Sequence, residues 1–291
     1  AEAVPALEKA LDLGVTLIDT ALVYGDGHSE ELVGRVMKAR KAWDRVLVAT
    51  KVPPKNMEWP GKNGTHVRDA FPRDWVIRCA ERSLRNLGHE PLDLLQLHVW
   101  ADNWINELDW YEGFEKLREQ GKVRWFGVSL NDHRPDEGVA LARSGLVQSL
   151  QVIYNIFDQS PEDALFQAAQ AGKVAILARV PLDEGSLTGK FTEKTKFPRG
   201  DFRGDYFGGG LLHETIRRVE AIRPILKPHA ASPAQAALRF CISHPAVTSV
   251  IPGMRSPAQA EDNCAAGSLG PLPGNVLTSL KPHRWIPRRN G

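Results

Sequence analysis

Four residues in the first hundred of the chain have the types and spacing needed to deliver a proton to a carbonyl oxygen. Asp19 ends the apolar run TLIDT, Tyr24 follows five residues later in ALVYGDG, Lys51 closes VLVATK, and His98 closes LDLLQLH. A phenol, with an unperturbed pKa of about 10, is still protonated at neutral pH, and a nearby cation eases donation by stabilising the phenolate. Lys51 supplies that cation. A lysine drawn into a dehydrated site tends to lose its proton, and a paired carboxylate, Asp19, opposes the loss. His98 can hydrogen-bond the same carbonyl oxygen and turn it toward Tyr24. One polar residue at a strand end is ordinary; four chemically matched groups on three successive strands form a set. That set holds no hydride source, so carbonyl reduction requires a cofactor, of which nicotinamide is the simplest.

The elements that must position these groups alternate along the whole chain. Residues 16–20, 46–51, 92–98, 123–129, 149–155, 174–182 and 248–253 read as apolar, β-branched strands. Amphipathic helical stretches at 28–40, 73–87, 107–120, 161–171, 214–227 and 233–243 separate them, and Pro233 behind Ser232 suits a first helical turn. Strands nearly continuous in apolar residues imply a parallel sheet covered by helices outside and filled by side chains inside. Asp19, Lys51, His98, Ser129, Gln151 and Arg179 all fall at C-terminal strand ends. A barrel collects groups from many strand ends onto one face, whereas a doubly wound sheet gathers them at one switch point. GDGHSEELVG lacks the GxGxxG spacing of a Rossmann turn. The expected fold is a parallel (β/α)8 TIM barrel forming one domain over residues 1–291. Only seven strands are found, and the chain opens in a helix with Ala3, Ala6, Leu7, Ala10 and Leu11 on one stripe. The first strand is therefore expected to be missing from this sequence, an N-terminally incomplete copy of a longer chain.

Composition narrows the function classes. Thirty-seven Lys and Arg against 35 Asp and Glu leave a net charge of +2, which is no footprint for nucleic acid or an anionic membrane. No apolar run is long enough to span a bilayer. Cys79, Cys241 and Cys264 are widely spaced with no CxxC pair, so neither a disulfide framework nor a metal site is expected, and a reduced, cytoplasmic compartment is. A small-molecule partner fits best.

The motifs resemble those of the aldo-keto reductases. LIDTALVYGDGHSEELVGRVM is similar to that family's aspartate and tyrosine signature, LVATKV and LLQLHVW to its lysine and histidine strands, GVSLND and SLQVIYN to its serine, asparagine and glutamine segments, and IPGMRSPAQAEDN to its adenosine-phosphate loop. The matches run in family order from residue 2 to about 285. The resemblance implies Tyr24 as general acid, Lys51 and Asp19 as its tuners, and His98 as the carbonyl-orienting group. Ser129, Asn131 and Gln151 correspond to positions that hold the nicotinamide carboxamide, although Leu130 here separates the serine from the asparagine. Arg179 stands where an aromatic ring usually stacks on nicotinamide; it either stacks there itself or forms a buried ion pair.

VPLDEGSLTGK resembles the family's pyrophosphate-covering loop, through Pro181, Leu182, Gly185, Gly189 and Lys190. Asp183 and Glu184 depart from it, and acids beside a pyrophosphate require the backbone amides to face the cofactor. At the last loop Gly253 ends a strand, Ser256 caps a helix opened by Pro257, Arg255 lies beside its free amides, and Gln259 and Asn263 share a face toward adenine. A cation there suits a 2′-phosphate, so NADPH is the expected cofactor. Trp59, Phe71, Trp100, Trp104 and Phe157 crowd the same loops, either as packing or as the wall of a pocket for apolar carbonyl compounds. Two alternatives stand beside an NADPH-dependent carbonyl reductase. One is a Schiff-base aldolase using Lys51; the other is a nucleotide-binding redox-sensing or scaffold subunit with slow turnover.

Overall fold

All seven expected strands form in the computed structural model, which describes residues 2–286. They are β1 (Leu17–Asp19), β2 (Leu47–Val52), β3 (Leu92–Leu97), β4 (Val123–Ser129), β5 (Ser149–Ile153), β6 (Ala175–Arg179) and β7 (Val247–Val250), paired in chain order with every ladder parallel. The expected helices appear at His28–Ala39, Arg73–Leu87, Asp109–Glu119, Leu165–Gly172, Leu211–Leu226 and Pro233–Ile242. The helix Gly138–Ser144 was not legible in the sequence, because its seven residues span about two turns and show no period.

Two apolar layers hold the sheet. On its outer face Val48, Leu95, Phe126, Leu150 and Ile176 are buried with the helices in one large core. Inside, Leu17, Ala49, Leu94 and Leu177 meet as a separate small cluster that floors the barrel. Alternate residues of a strand face the same side. Asp19, Lys51, Gln96 and Arg179 thus stand two residues above those floor residues, at the C-terminal mouth. Gly127 lets β4 and β5 close at this level: a Cβ there would lie 2.1 Å from the Ser149 hydroxyl oxygen and 3.1 Å from the Gln96 side chain.

β1 and β7 are the two ends of the sheet order, and among the described residues no ladder joins them. On that side the helix Ala3–Asp12 packs on the helix Pro257–Leu269, with Lys9 paired to Glu261 at 2.6 Å. The architecture is the (β/α)8 barrel, nearly closed by seven parallel strands. No helix among the described residues is long and apolar enough to cross a membrane.

Candidate active site

Asp19 is the hub of the mouth. Lys51, fully buried, donates from Nζ to Asp19 Oδ2 at 2.5 Å and to the Thr20 carbonyl at 2.8 Å. Gln151 Nε2 donates to the other carboxylate oxygen at 2.7 Å. Gln151, expected from the resemblance to hold the nicotinamide amide, also braces the Asp19 carboxylate, a contact across 132 residues that strand reading could not reveal. The Lys51 ammonium lies 5.5 Å from the centre of the Tyr24 ring, and Tyr24 is exposed at the mouth. His98 meets Tyr24 with ring centres 5.7 Å apart at 73°. Burial, and then the Lys51 and Arg179 cations, push the His98 pKa down to about 3, so its imidazole is neutral near pH 7. Its Nδ1 is buried and has no protein partner among the described residues.

The loop carrying Tyr24 is held from behind by groups the sequence reading did not single out. Glu30, fully buried in the helix His28–Ala39, accepts from Thr50 Oγ1 at 2.5 Å and from Asn86 Nδ2 at 2.8 Å. Thr50 precedes Lys51 on β2, so one carboxylate ties the helix after Tyr24 to the lysine strand. Thr20, beside Asp19, bonds Ser29 at 2.8 Å. A Glu near a helix start reads as a favourable dipole residue, and only packing shows it buried.

The aromatic ring around the mouth is smaller than the five residues expected. Trp59 alone keeps an exposed face there, with its ring edge-on to His98 at 4.8 Å and 89°. Phe71, Trp100, Trp104 and Phe157 are core: Phe71 and Trp100 each pack on Trp104, Trp104 Nε1 donates to the Thr65 carbonyl, and Phe157 packs on Trp285. Large rings are the most rewarding groups to bury, so those with room beneath the loops turned inward.

Ser129 and Gln151 face each other in register on β4 and β5. Asn131 does not join them. Its amide is engaged with the Gly61 backbone, the Trp100 carbonyl and Glu137. Arg179 donates from Nη2 to exposed Asp132 at 2.7 Å and to the Leu130 carbonyl at 2.9 Å. Its buried Nε has no protein partner among the described residues.

The next turn answers the question posed by its acids. Asp183 points inward, accepting from Ser186 Oγ at 2.6 Å and from the Tyr206 hydroxyl at 3.0 Å. Its carboxylate therefore shapes the loop from within. Val180, Asp183 and Glu184 adopt positive φ of 52°, 45° and 52°, a backbone that side chains disfavour and that this network holds. Pro181 is buried and Leu182 half-buried, Gly185 and Gly189 take φ of 101° and 69°, and Lys190 is exposed. Glu184 is half-buried; desolvation, then Asp183 and Asp132, raise its pKa to about 7.

At the end of β7, Ser256 caps the helix Pro257–Leu269 by accepting from the Gln259 amide at 3.3 Å. The Gln259 side chain accepts from the Arg255 amide at 2.7 Å, and Asn263, buried, donates to the Gly253 carbonyl at 3.4 Å. Both residues expected to face adenine thus brace the loop. Arg255 itself is exposed.

These features agree with three comparisons. The profile of the Aldo/keto reductase family matches residues 1–284. The chain is 32% identical over 262 residues to the aldo-keto reductase YhdN of Bacillus subtilis, covering 89% of this chain and 76% of that protein. The glycerol dehydrogenase AKR11B4 from Gluconobacter oxydans superposes with a TM-score of 0.79 at 26% identity, over 99% of this chain and 88% of that one. An aldo-keto reductase from Klebsiella pneumoniae in complex with NADPH superposes with a TM-score of 0.69 at 28% identity, over 99% and 87%. The chain belongs to the aldo/keto reductase family.

Proposed function

We propose that the protein is an NADPH-dependent reductase of aldehydes or ketones in which Tyr24 is the general acid. The observation that carries this reading is the buried Lys51 ammonium, fixed by Asp19 and the Thr20 carbonyl and lying 5.5 Å from the centre of the Tyr24 ring. A cation locked there stabilises the phenolate left when the proton moves to the substrate oxygen. His98, neutral but keeping one N–H donor, orients that oxygen without adding a third cation beside Lys51 and Arg179. Trp59 supplies an apolar wall over His98.

The residues present fit a dinucleotide. The start of the helix Pro257–Leu269 presents the positive end of its dipole, and exposed Arg255 beside it offers a charge for a 2′-phosphate. In the 183–189 turn the Asp183 carboxylate points into the protein, toward Ser186 and Tyr206, so it does not face a pyrophosphate. NADPH, when bound, supplies the hydride. The NADPH complex of the Klebsiella relative supports the same cofactor here. A Schiff-base role for Lys51 is opposed by its contacts, since its buried Nζ is committed to Asp19 and to the Thr20 carbonyl.

The test is steady-state NADPH oxidation with a panel of aldehydes, ketones and quinones. Turnover of at least one carbonyl class is expected, and borohydride should trap no adduct on Lys51. Absence of turnover across the panel with tight NADPH binding points instead to the nucleotide-binding subunit.

A further inference from the structure

We propose that Asn131 is a positioning residue that pins the loop after β2 at Gly61, and so sets Trp59 as the specificity wall over His98. The assignment rests on the reading of the mouth as a carbonyl-reducing site. The long loop, residues 52–72, carries Trp59, which is 42% exposed and whose ring meets His98 edge-on at 4.8 Å. A loop of that length holds one conformation only if contacts offset its entropy. Two residues beyond Trp59, Gly61 gives both of its backbone groups to one side chain. Its amide donates to Asn131 Oδ1 at 3.1 Å, and its carbonyl accepts from Nδ2 at 3.1 Å. That two-point contact fixes orientation as well as distance. The same Nδ2 reaches the Trp100 carbonyl at 2.7 Å and Glu137 Oε2 at 2.8 Å, so its two hydrogens are shared among three acceptors.

Three further observations agree. Asn131 is 5% exposed, so this is a buried clamp. Glu137, buried and held by Arg134 at 3.1 Å, fixes which end of the Asn131 amide carries the nitrogen. A Cβ on Gly61 would sit 2.5 Å from the Trp100 carbonyl oxygen, so only glycine lets the loop come this close. Among the described residues, no other hydrogen bond of 57–61 reaches beyond the loop itself. Asn131 therefore acts on substrate through Trp59, while its own polar atoms are directed away from any cofactor role.

The experiment measures Asn131→Ala, Gly61→Ala and Trp59→Ala in the full chain, each checked for retained thermal unfolding temperature. For the best carbonyl substrate of the unmodified protein, Asn131→Ala is expected to raise KM about 5- to 20-fold, with kcat within about 3-fold and NADPH Kd within about 2-fold. Gly61→Ala should follow the same pattern. Added to Trp59→Ala, Asn131→Ala should change KM by less than about 2-fold, because coupled residues are non-additive. Independently of turnover, tryptic cleavage at Lys55 or Lys62 should quicken at least about 5-fold in Asn131→Ala. Multiplying KM effects, a weakened NADPH Kd, or unchanged cleavage each overturn the assignment. Quicker cleavage in a protein with no carbonyl turnover overturns the reductase reading and the specificity role, and leaves the clamp.

Discussion

Asp19 binds Lys51 with one carboxylate oxygen and Gln151 with the other, so the carboxylate that holds the Lys51 ammonium is itself braced from β5. Lys51→Met removes the cation but keeps the volume, and should lower carbonyl reduction by about 10²-fold or more, as should Tyr24→Phe, with NADPH affinity changed only a few-fold in either. Asp19→Asn should cost less, because the neutral amide still meets Lys51. Full turnover in Tyr24→Phe would remove the phenol from the mechanism. Arg255 belongs to a separate experiment, since it lies at the far end of the proposed cofactor. Its loss should erase a preference for NADPH over NADH of about 1.5 to 3 kcal/mol, the scale of a charge-assisted hydrogen bond. Comparing the two cofactors' dissociation constants in Arg255→Glu and the unmodified protein decides it; equal constants in the latter would show that this loop does not read the phosphate.

Strands set the height of each group in the mouth, and helices set the loops that return to it. The floor cluster of Leu17, Ala49, Leu94 and Leu177 puts Asp19, Lys51, Gln96 and Arg179 on one level by pleat alternation. The helix His28–Ala39 fixes the Tyr24 loop through Glu30, whose two bonds run to Thr50 on β2 and to Asn86 on the helix Arg73–Leu87. Glu30→Ala should leave buried Thr50 and half-buried Asn86 without this acceptor and destabilise the protein by about 1 to 3 kcal/mol in urea unfolding. A loss below about 0.5 kcal/mol would mean that these groups find other partners and that Glu30 does not brace the loop.

Across the whole molecule, two titrations oppose one another. His98, lowered to about 3, takes up its proton at higher pH in the unfolded chain than in the fold, so its contribution to stability falls as pH drops from its unfolded value toward 3. Glu184, raised to about 7, holds its proton more tightly in the fold. Its contribution is complete below the unfolded carboxyl value and is lost as pH rises through 7. Glu184→Gln should therefore gain on the unmodified protein by about 1 to 3 kcal/mol between pH 5 and pH 8, measured as the difference of urea unfolding free energies. A pH-independent difference would show that Glu184 does not titrate in this range. Much of the site was legible without coordinates. Asp19, Lys51, His98 and Ser129 each lie at or beside the end of an apolar strand, whereas Gln151 sits in the middle of β5, and the period of a strand together with the βα order is a local property that sends such ends to one face. The partners of those residues were not legible. Gln151 on Asp19, Asn131 on Gly61, Asp183 on Tyr206, and the inward turn of Phe71, Trp100, Trp104 and Phe157 join segments far apart in the chain. Each choice was settled by which donor found an acceptor, and which ring found volume, once the sheet had curved and the loops had packed upon it; residue type and spacing carry no record of that competition.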